Sequence, residues 1–363
     1  MNENENRESR IDGETLISVV VPAYNEEEVL GEFHRRLRAV ADAEPFALEV
    51  VYVDDGSSDR TLELMTELAT GDPRVTVVEL SRNFGKEIAL TAGLDHAVGD
   101  AVVIIDADLQ DPPELIPELI SRWQEGYEVV YAQRYRREGE SLLKKWTASR
   151  FYQLMQHTGR VQIPKDTGDF RLMSRRALDA LLQLREQHRF MKGLFAWIGF
   201  PQIAVPYSRD ARFAGQTKWN YWKLWNLALE GITSFTVTPL KLATYLGLVT
   251  AIGSFCYGVI IIAKTILLGV ETPGYASLMV VVLFLGGIQL MALGVIGEYL
   301  GRTFNEVKQR PLYFVGSYRP AANAQLRRKH SEERLNVSIL PEHRLGSAQE
   351  AAEMPAGETG AAS

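Results

Sequence analysis

Residues 101–115, AVVIIDADLQDPPEL, run an apolar stretch from Val102 to Ile105 directly into Asp106, Asp108 and Asp111. Carboxylates at the end of a buried strand are costly unless something pairs with them. Asp106 and Asp108 stand two positions apart and can face one hard divalent cation. Mg2+ is commonly held by one or two carboxylates plus the oxygens of a bound phosphate group. The candidate metal set is therefore Asp106, Asp108 and Gln110, with Mg2+ or Mn2+ as the cofactor and a diphosphate completing the shell. Such a cation would act as a Lewis acid on a departing diphosphate. Asp111 precedes Pro112 and Pro113 and reads as part of the next helix start.

Two other apolar runs end in the same way. VVYVDDGSSDRT (50–61) places Asp54 and Asp55 at a strand end, then Gly56, then serines suited to capping a helix. Carboxylates there could accept hydrogen bonds from a base imide or ribose hydroxyls. VVVPAYNEEE (19–28) ends in Pro22, Ala23, Tyr24 and Asn25, where an aromatic ring could stack on a base. Lys86 in NFGKE is placed to approach a nucleotide or its diphosphate. Cations follow in RYRREGESLLKKWTASR (134–150), which holds Arg134, Arg136, Arg137, Lys144, Lys145 and Arg150 against Glu138 and Glu140. No G-x-G-x-x-G follows the first strand, and no P-loop, H-E-x-x-H or G-x-S-x-G is present. The single cysteine, Cys256, excludes an internal disulfide. A net charge of -7 excludes non-specific nucleic-acid binding.

The elements that must position these residues alternate between residues 16 and 134. Strand-like runs rich in Val and Ile (16–24, 48–55, 74–80, 101–108 and 127–134) are separated by amphipathic stretches. This predicts an α/β fold, a mostly parallel sheet flanked by helices, whose ligands bind outside the carboxyl ends of the strands. DFRLMS (169–174) reads as a further short strand, RRALDALLQL (175–184) as a helix, and 141–157 as another helix. Residues 217–238 combine Trp, Tyr and Lys and predict an amphipathic helix lying at a membrane interface. Two uncharged runs, about 242–263 and 275–297, are each long enough to span a bilayer as a two-helix transmembrane hairpin. Basic residues flank the hairpin while the loop between the runs lacks them. Both termini and the intervening domain are therefore expected on the cytoplasmic side. Glycines 286, 287, 294 and 297 in the second run would permit a homo-oligomer through close helix contact. The polar N-terminus (1–15) and the tail (303–363) are expected to be largely disordered, and no cleaved signal peptide is expected.

Taken together, VVPAYNEEE, VDDGSSDRT, RNFGKEIALTAG (82–93), DADLQDPPE and DTGDFRLMSR (166–175) resemble the inverting family 2 glycosyltransferases of the GT-A fold, over about residues 16–235. With the C-terminal hairpin the chain is similar to polyprenyl-phosphate glycosyltransferases, the group of bactoprenol glucosyltransferases and dolichol-phosphate mannose synthases. The processive relatives carry a Q-x-x-R-W motif, which is absent here. The resemblance implies a catalytic domain at 16–216 in the bacterial inner membrane, transferring one sugar from a nucleotide sugar (UDP-glucose first) to undecaprenyl phosphate. The same reaction with UDP-GlcNAc, a UDP-aminoarabinose derivative or GDP-mannose stays open, as does a membrane scaffold that binds nucleotide sugar without turnover. Pro22, Ala23, Tyr24, Glu26, Asp54, Asp55, Lys86 and Asp106 would bind the nucleotide sugar. Asp108 and Asp169 would be catalytic, with Asp169 orienting or deprotonating the acceptor or binding the sugar. Arg134, Arg150, Arg212 and Lys218 would hold the lipid phosphate. That phosphate is mostly dianionic at neutral pH, so it needs neutralising cations more than a strong base.

Overall fold

All eight residues of β1 (Leu16–Ala23) are buried, as expected of a strand covered on both faces. The computed structural model of the protein describes residues 15–135, 164, 167–208, 238–268, 274–322 and 324. It places β1 inside an eight-stranded sheet with β2 (Ala47–Asp54), β3 (Val75–Leu80), β4 (Ala101–Ile104), β5 (Val129–Arg134), β6 (Thr167–Ser174), β7 (Gln202–Tyr207) and β8 (Val315–Arg319). The order is β7-β5-β6-β4-β1-β2-β3-β8. Pairs β1–β2, β1–β4, β2–β3 and β5–β7 are parallel. Strand β6 runs antiparallel to β4 and β5, and β8 antiparallel to β3. The chain builds outward from β1 to β3 and then returns to lay β4 on the other side of β1. The crevice over the ends of β1 and β4 is thus a topological switch point, the usual ligand position in such sheets.

Alternate residues of the strands feed two cores. On one face Val19, Val21 and Tyr52 pack with Phe33 and Leu37 of α1 (Leu30–Ala43), Met65 of α2 (Thr61–Gly71) and Trp123 of α4 (Ile116–Gln124). On the other, Val20, Val51 and Val53 pack with Leu90 and Leu94 of α3 (Lys86–His96), Leu178 of α5 (Arg175–Leu182) and Leu194 of α6 (Met191–Trp197). Helix α3 lies tight on the sheet because it presents Gly93 there. A Cβ at that position would stand 2.3 Å from a Val20 methyl. This packing fixes the start of α3, and with it Lys86, beside the ends of β1 and β4.

Two long helices follow, α7 (Thr238–Leu268) and α8 (Tyr275–Val307), packed side by side. Both are long and apolar enough to cross a membrane, and both run past the apolar spans read from the sequence. Their apolar side chains point outward, Phe255 being 74% exposed. Water would not tolerate so much exposed apolar surface on one element, but lipid would. The tail read as largely disordered from 303 onward is corrected in part. Helix α8 continues to Val307, and β8 joins the sheet, because Val77–Leu80 of edge strand β3 offer it an open ladder. The expected helices at 141–157 and 217–238, and the cations Arg150, Arg212 and Lys218, lie outside the described residues, save Thr238 at the start of α7.

Candidate active site

The loops after β1 and β2 are stapled together. Asn25 adopts a left-handed backbone (φ 54°); its amide donates to Ser57 Oγ at 3.1 Å and its side-chain oxygen accepts from the Ser58 amide at 2.8 Å. Gly56 turns with φ 68°, and a Cβ there would meet the Asn83 backbone at 2.6 Å, so only glycine fits. Asp54 is buried and accepts from the Ser57 amide at 3.1 Å. Asp55 receives the Phe84 and Gly85 amides at 2.7 and 2.9 Å. Burial pushes its carboxyl up and those two amides pull it back. In this structure Asp55 therefore fixes the loop before α3, a role its sequence context did not disclose. Tyr24 stands exposed at the rim, with Pro22 and Ala23 buried behind it and Glu26 partly buried beside it.

After β4, Leu109 is buried yet left-handed (φ 58°), a strained conformation for a leucine. Such strain collects at functional turns. Here it folds the backbone so that the Gln110 amide donates to Asp108 Oδ1 at 3.1 Å. Asp106 points toward α3, where Lys86 Nζ lies 2.7 Å from Asp106 Oδ2 and 2.7 Å from Asp169 Oδ2. One ammonium thus joins the ends of β4 and β6. The second Asp169 oxygen, Oδ1, is buried with no hydrogen-bond partner among the described residues. Burial opposes ionisation of Asp169, but Lys86, Lys192 and Arg171 outweigh it and hold the carboxyl far below the usual carboxylate range. Burial likewise works against the Lys86 charge, and the two aspartates reverse it, holding that ammonium well above the usual lysine range. Asp106 has Lys86 as its ion-pair partner among the described residues, and burial, with the nearby charges of Asp169 and Asp111, still pushes its carboxyl upward.

A second cluster adjoins the first. Arg134 Nε reaches the Tyr207 hydroxyl at 3.4 Å, and that hydroxyl donates to buried Asp111. Asp111 thus serves the site floor and not the helix start read from the sequence, since the following turn begins at Pro113 with Pro112 as its cap. Gly168 lets Arg134 lie close, with a Cβ there falling 3.0 Å from the guanidinium. Arg171 is buried, donates to the Gly168 and Asp169 carbonyls at 2.9 and 3.2 Å, and lies 3.7 Å over the Phe195 ring. Burial lowers its guanidinium to about 10.

The structure therefore gathers Asp106, Asp108, Lys86, Asp169 and Arg134 around the crevice, with Tyr24, Asp54 and Asp55 at its β1–β2 side. Sequence reasoning missed Tyr207, Glu87, Arg171 and Lys192 as members: Tyr207 and Lys192 arrive from distant segments without a motif of their own, whereas Glu87 and Arg171 lie inside the quoted stretches 82–93 and 166–175 and only the fold shows that they face the site. Among the described residues no group of three His, Cys, Asp or Glu side chains could hold a metal by itself. Two hard carboxylates at an open strand end fit a cation whose shell is completed by phosphate oxygens, and they do not fit a closed structural site.

The glycosyl transferase family 2 model matches residues 18–182, and the GtrB C-terminal hairpin model matches residues 238–303. A glycosyltransferase of Synechocystis is 55% identical over 299 residues, spanning 82% of this chain and 94% of its own. A prophage bactoprenol glucosyl transferase homolog of Escherichia coli is 48% identical, spanning 82% and 98%. The bactoprenol glucosyl transferase of Shigella phage SfII is 49% identical, spanning 82% and 97%. Among solved structures, glucosyl-3-phosphoglycerate synthase of Mycobacterium tuberculosis, in complex with Mn2+, UDP-glucose and phosphoglyceric acid, aligns at 23% identity. Its TM-score is 0.42, over 60% of this chain and 78% of its own. With strand ends, switch-point crevice and apolar hairpin all in the places these matches cover, the chain belongs to glycosyl transferase family 2, and it is a glycosyltransferase with a GtrB-type C-terminal hairpin.

Proposed function

We propose that the enzyme transfers one glucosyl group from UDP-glucose to a polyprenyl phosphate, with inversion, on the cytoplasmic side of the bacterial inner membrane. The observation that carries the reading is the Lys86 bridge between Asp106 and Asp169, with Asp169 Oδ1 buried and unsatisfied beside it. An orphaned carboxylate oxygen in a crevice suits a substrate hydroxyl. The relatives named bactoprenol glucosyl transferase favour glucose as the sugar and a prenyl phosphate as the acceptor. The basic residues flanking the hairpin favour the cytoplasmic orientation of both termini.

In this reading the acceptor phosphate dianion attacks the anomeric carbon while the bond to the UDP oxygen breaks on the opposite face, and the electron pair leaves with UDP. Tyr24, Asp54 and the loop that Asp55 holds line the nucleotide end. Asp106 and Asp108, with Gln110, would hold Mg2+ or Mn2+, which supplies Lewis-acid stabilisation of the departing diphosphate. Asp169 accepts a hydroxyl of the sugar, and its charge is balanced by Lys86. Arg134 receives the acceptor phosphate through the fork that guanidinium groups offer phosphates.

Purified full-length protein, polyprenyl phosphate and a panel of nucleotide sugars test this by mass spectrometry of the lipid. UDP-glucose with Mg2+ is expected to give hexosyl-phosphoryl lipid, and Asp108→Ala to lower the rate by about 100-fold or more. A product only with UDP-GlcNAc, a UDP-aminoarabinose derivative or GDP-mannose would reassign the donor. UDP binding with no lipid product from any donor would replace the enzyme by a scaffold.

A further inference from the structure

Lys192 is a site residue that the reaction scheme above leaves idle. It follows Met191 at the start of α6, and α6 is tied to the site from two sides. The Met191 amide donates to Glu87 Oε2 at 3.2 Å, and Glu87 is the chain neighbour of Lys86. Phe195, one turn along, lies under the Arg171 guanidinium, which itself holds the carbonyls of Gly168 and Asp169. The ammonium of Lys192 is thereby placed in the field of Asp169, Lys86, Glu87 and Arg134. Burial works against its charge, and it makes no hydrogen bond or ion pair within the described residues.

The local charge accounting gives that position a purpose. Lys86 is engaged by two carboxylates at 2.7 Å each. Arg134 has Asp111 close by through Tyr207. Asp106, Asp169 and Lys86 together are net negative, yet the reaction proposed above must bring a diphosphate and a phosphate into the same crevice. A partly buried ammonium without a close counter-ion costs stability unless an anion arrives to pair with it.

We propose that Lys192 is a phosphate-contacting residue of this site, its ammonium meeting the phosphate oxygens of the incoming substrates between Asp169 and Arg134. This rests on the glycosyl-transfer reading for the identity of those substrates. The shared chemistry is an oxyanion on phosphorus, and either the donor diphosphate or the acceptor monophosphate supplies it.

The test uses the full chain in lipid nanodiscs, with Lys192→Met and Lys192→Arg. Two binding titrations, of UDP against uridine and of polyprenyl phosphate against polyprenol, are run beside steady-state transfer. Lys192→Met is expected to weaken one phosphate ligand by about 10- to 100-fold, the loss of a charge-assisted hydrogen bond, with the phosphate-free partner unaffected. Lys192→Arg restores most of that affinity. A raised KM for the nucleotide sugar with weakened UDP assigns the donor diphosphate. A raised KM for the lipid with weakened polyprenyl phosphate assigns the acceptor. Unchanged binding of both phosphates with unchanged kcat overturns the proposal. Equal loss of uridine and UDP, unrescued by arginine, also overturns it by marking a purely structural role. If wild-type protein transfers no sugar, the glycosyl-transfer reading fails by itself, and the binding arms still decide whether Lys192 contacts phosphate.

Discussion

Lys86 stands 2.7 Å from carboxylate oxygens of both Asp106 and Asp169, so the site carries its own cation before any substrate arrives. That cation holds Asp169 ionised and leaves one of its oxygens open. A residue in that state is an acceptor of hydrogen bonds, suited to fixing a sugar hydroxyl in place. Asp169→Asn keeps the size and removes the charge. The expected outcome is a fall in kcat of about 10²- to 10⁴-fold with UDP affinity retained, read by steady-state transfer beside a UDP titration. Unchanged kcat would remove Asp169 from the chemistry. Much of this residue set was legible in the sequence, because Asp54, Asp106 and Asp108 each directly end or follow an apolar run and therefore must sit at strand ends. Lys86 was legible as a cation near the diphosphate but not as a bridge, since its partner Asp169 lies 83 positions further on. Asp111 was misread because its partner, the Tyr207 hydroxyl, comes from β7, and nothing local betrays that pairing.

At the scale of elements, the site depends on two helices meeting over the sheet. Helix α3 brings Lys86 and Glu87, and α6 is moored to Glu87 by the Met191 amide. Burial, followed by the negative charge of Asp169, raises the Glu87 carboxyl to about 7. The folded protein thus binds this proton more tightly than the unfolded chain, whose glutamate titrates near the ordinary value of about 4.3. The associated stability is fully present below that ordinary value, declines as pH rises toward 7, and is lost above it. Glu87→Gln keeps an acceptor for the Met191 amide and cannot ionise. Melting temperatures from pH 4.5 to 8 are expected to show the variant more stable than wild type by a few degrees at the alkaline end, with the gap closing at the acidic end. A constant gap would mean that Glu87 acts only through its hydrogen bond. Strands β1 to β5 were readable from apolar runs bounded by turns, and β6 and α5 from the short alternation around DFRLMS, whereas β7, β8 and α6 were not read. The direction of β6 was not readable, because a short alternating run carries the same pattern in either direction and its antiparallel partners β4 and β5 lie elsewhere in the sequence.

At the scale of the whole molecule, the chain leaves the second apolar helix and returns to the catalytic sheet. Glu306 accepts the Gln187 amide at 2.8 Å, the Phe314 carbonyl accepts the Ser81 amide at 2.9 Å, and β8 then pairs with β3. Tyr313 donates to Asp95 at 2.7 Å, the same carboxylate that Arg185 grips with both guanidinium nitrogens at 2.7 and 2.8 Å. The His96 ring lies 4.9 Å from that of Tyr318. These contacts make the segment after α8 a strap that fastens the apolar hairpin to the edge of the sheet farthest from β7. The polar composition of the tail hid this strap, since five residues of edge strand carry too little apolar pattern to announce themselves. With the hairpin in a bilayer, as proposed above, such a strap would hold the crevice at a set orientation over the lipid without touching the nucleotide. The double variant Tyr313→Ala, Tyr318→Ala removes its two aromatic anchors and one partly buried hydrogen bond, each anchor contributing on the order of 1 kcal/mol. Chymotrypsin is then expected to cut after Phe314 under conditions where wild type resists. UDP affinity should stay at the wild-type value, because neither tyrosine lies near the crevice. Transfer to an acceptor embedded in vesicles should fall more than transfer to a short, detergent-dispersed polyprenyl phosphate, which does not depend on the orientation of the domain over a bilayer. Equal losses on the two acceptors would show that the strap stabilises the fold without steering it.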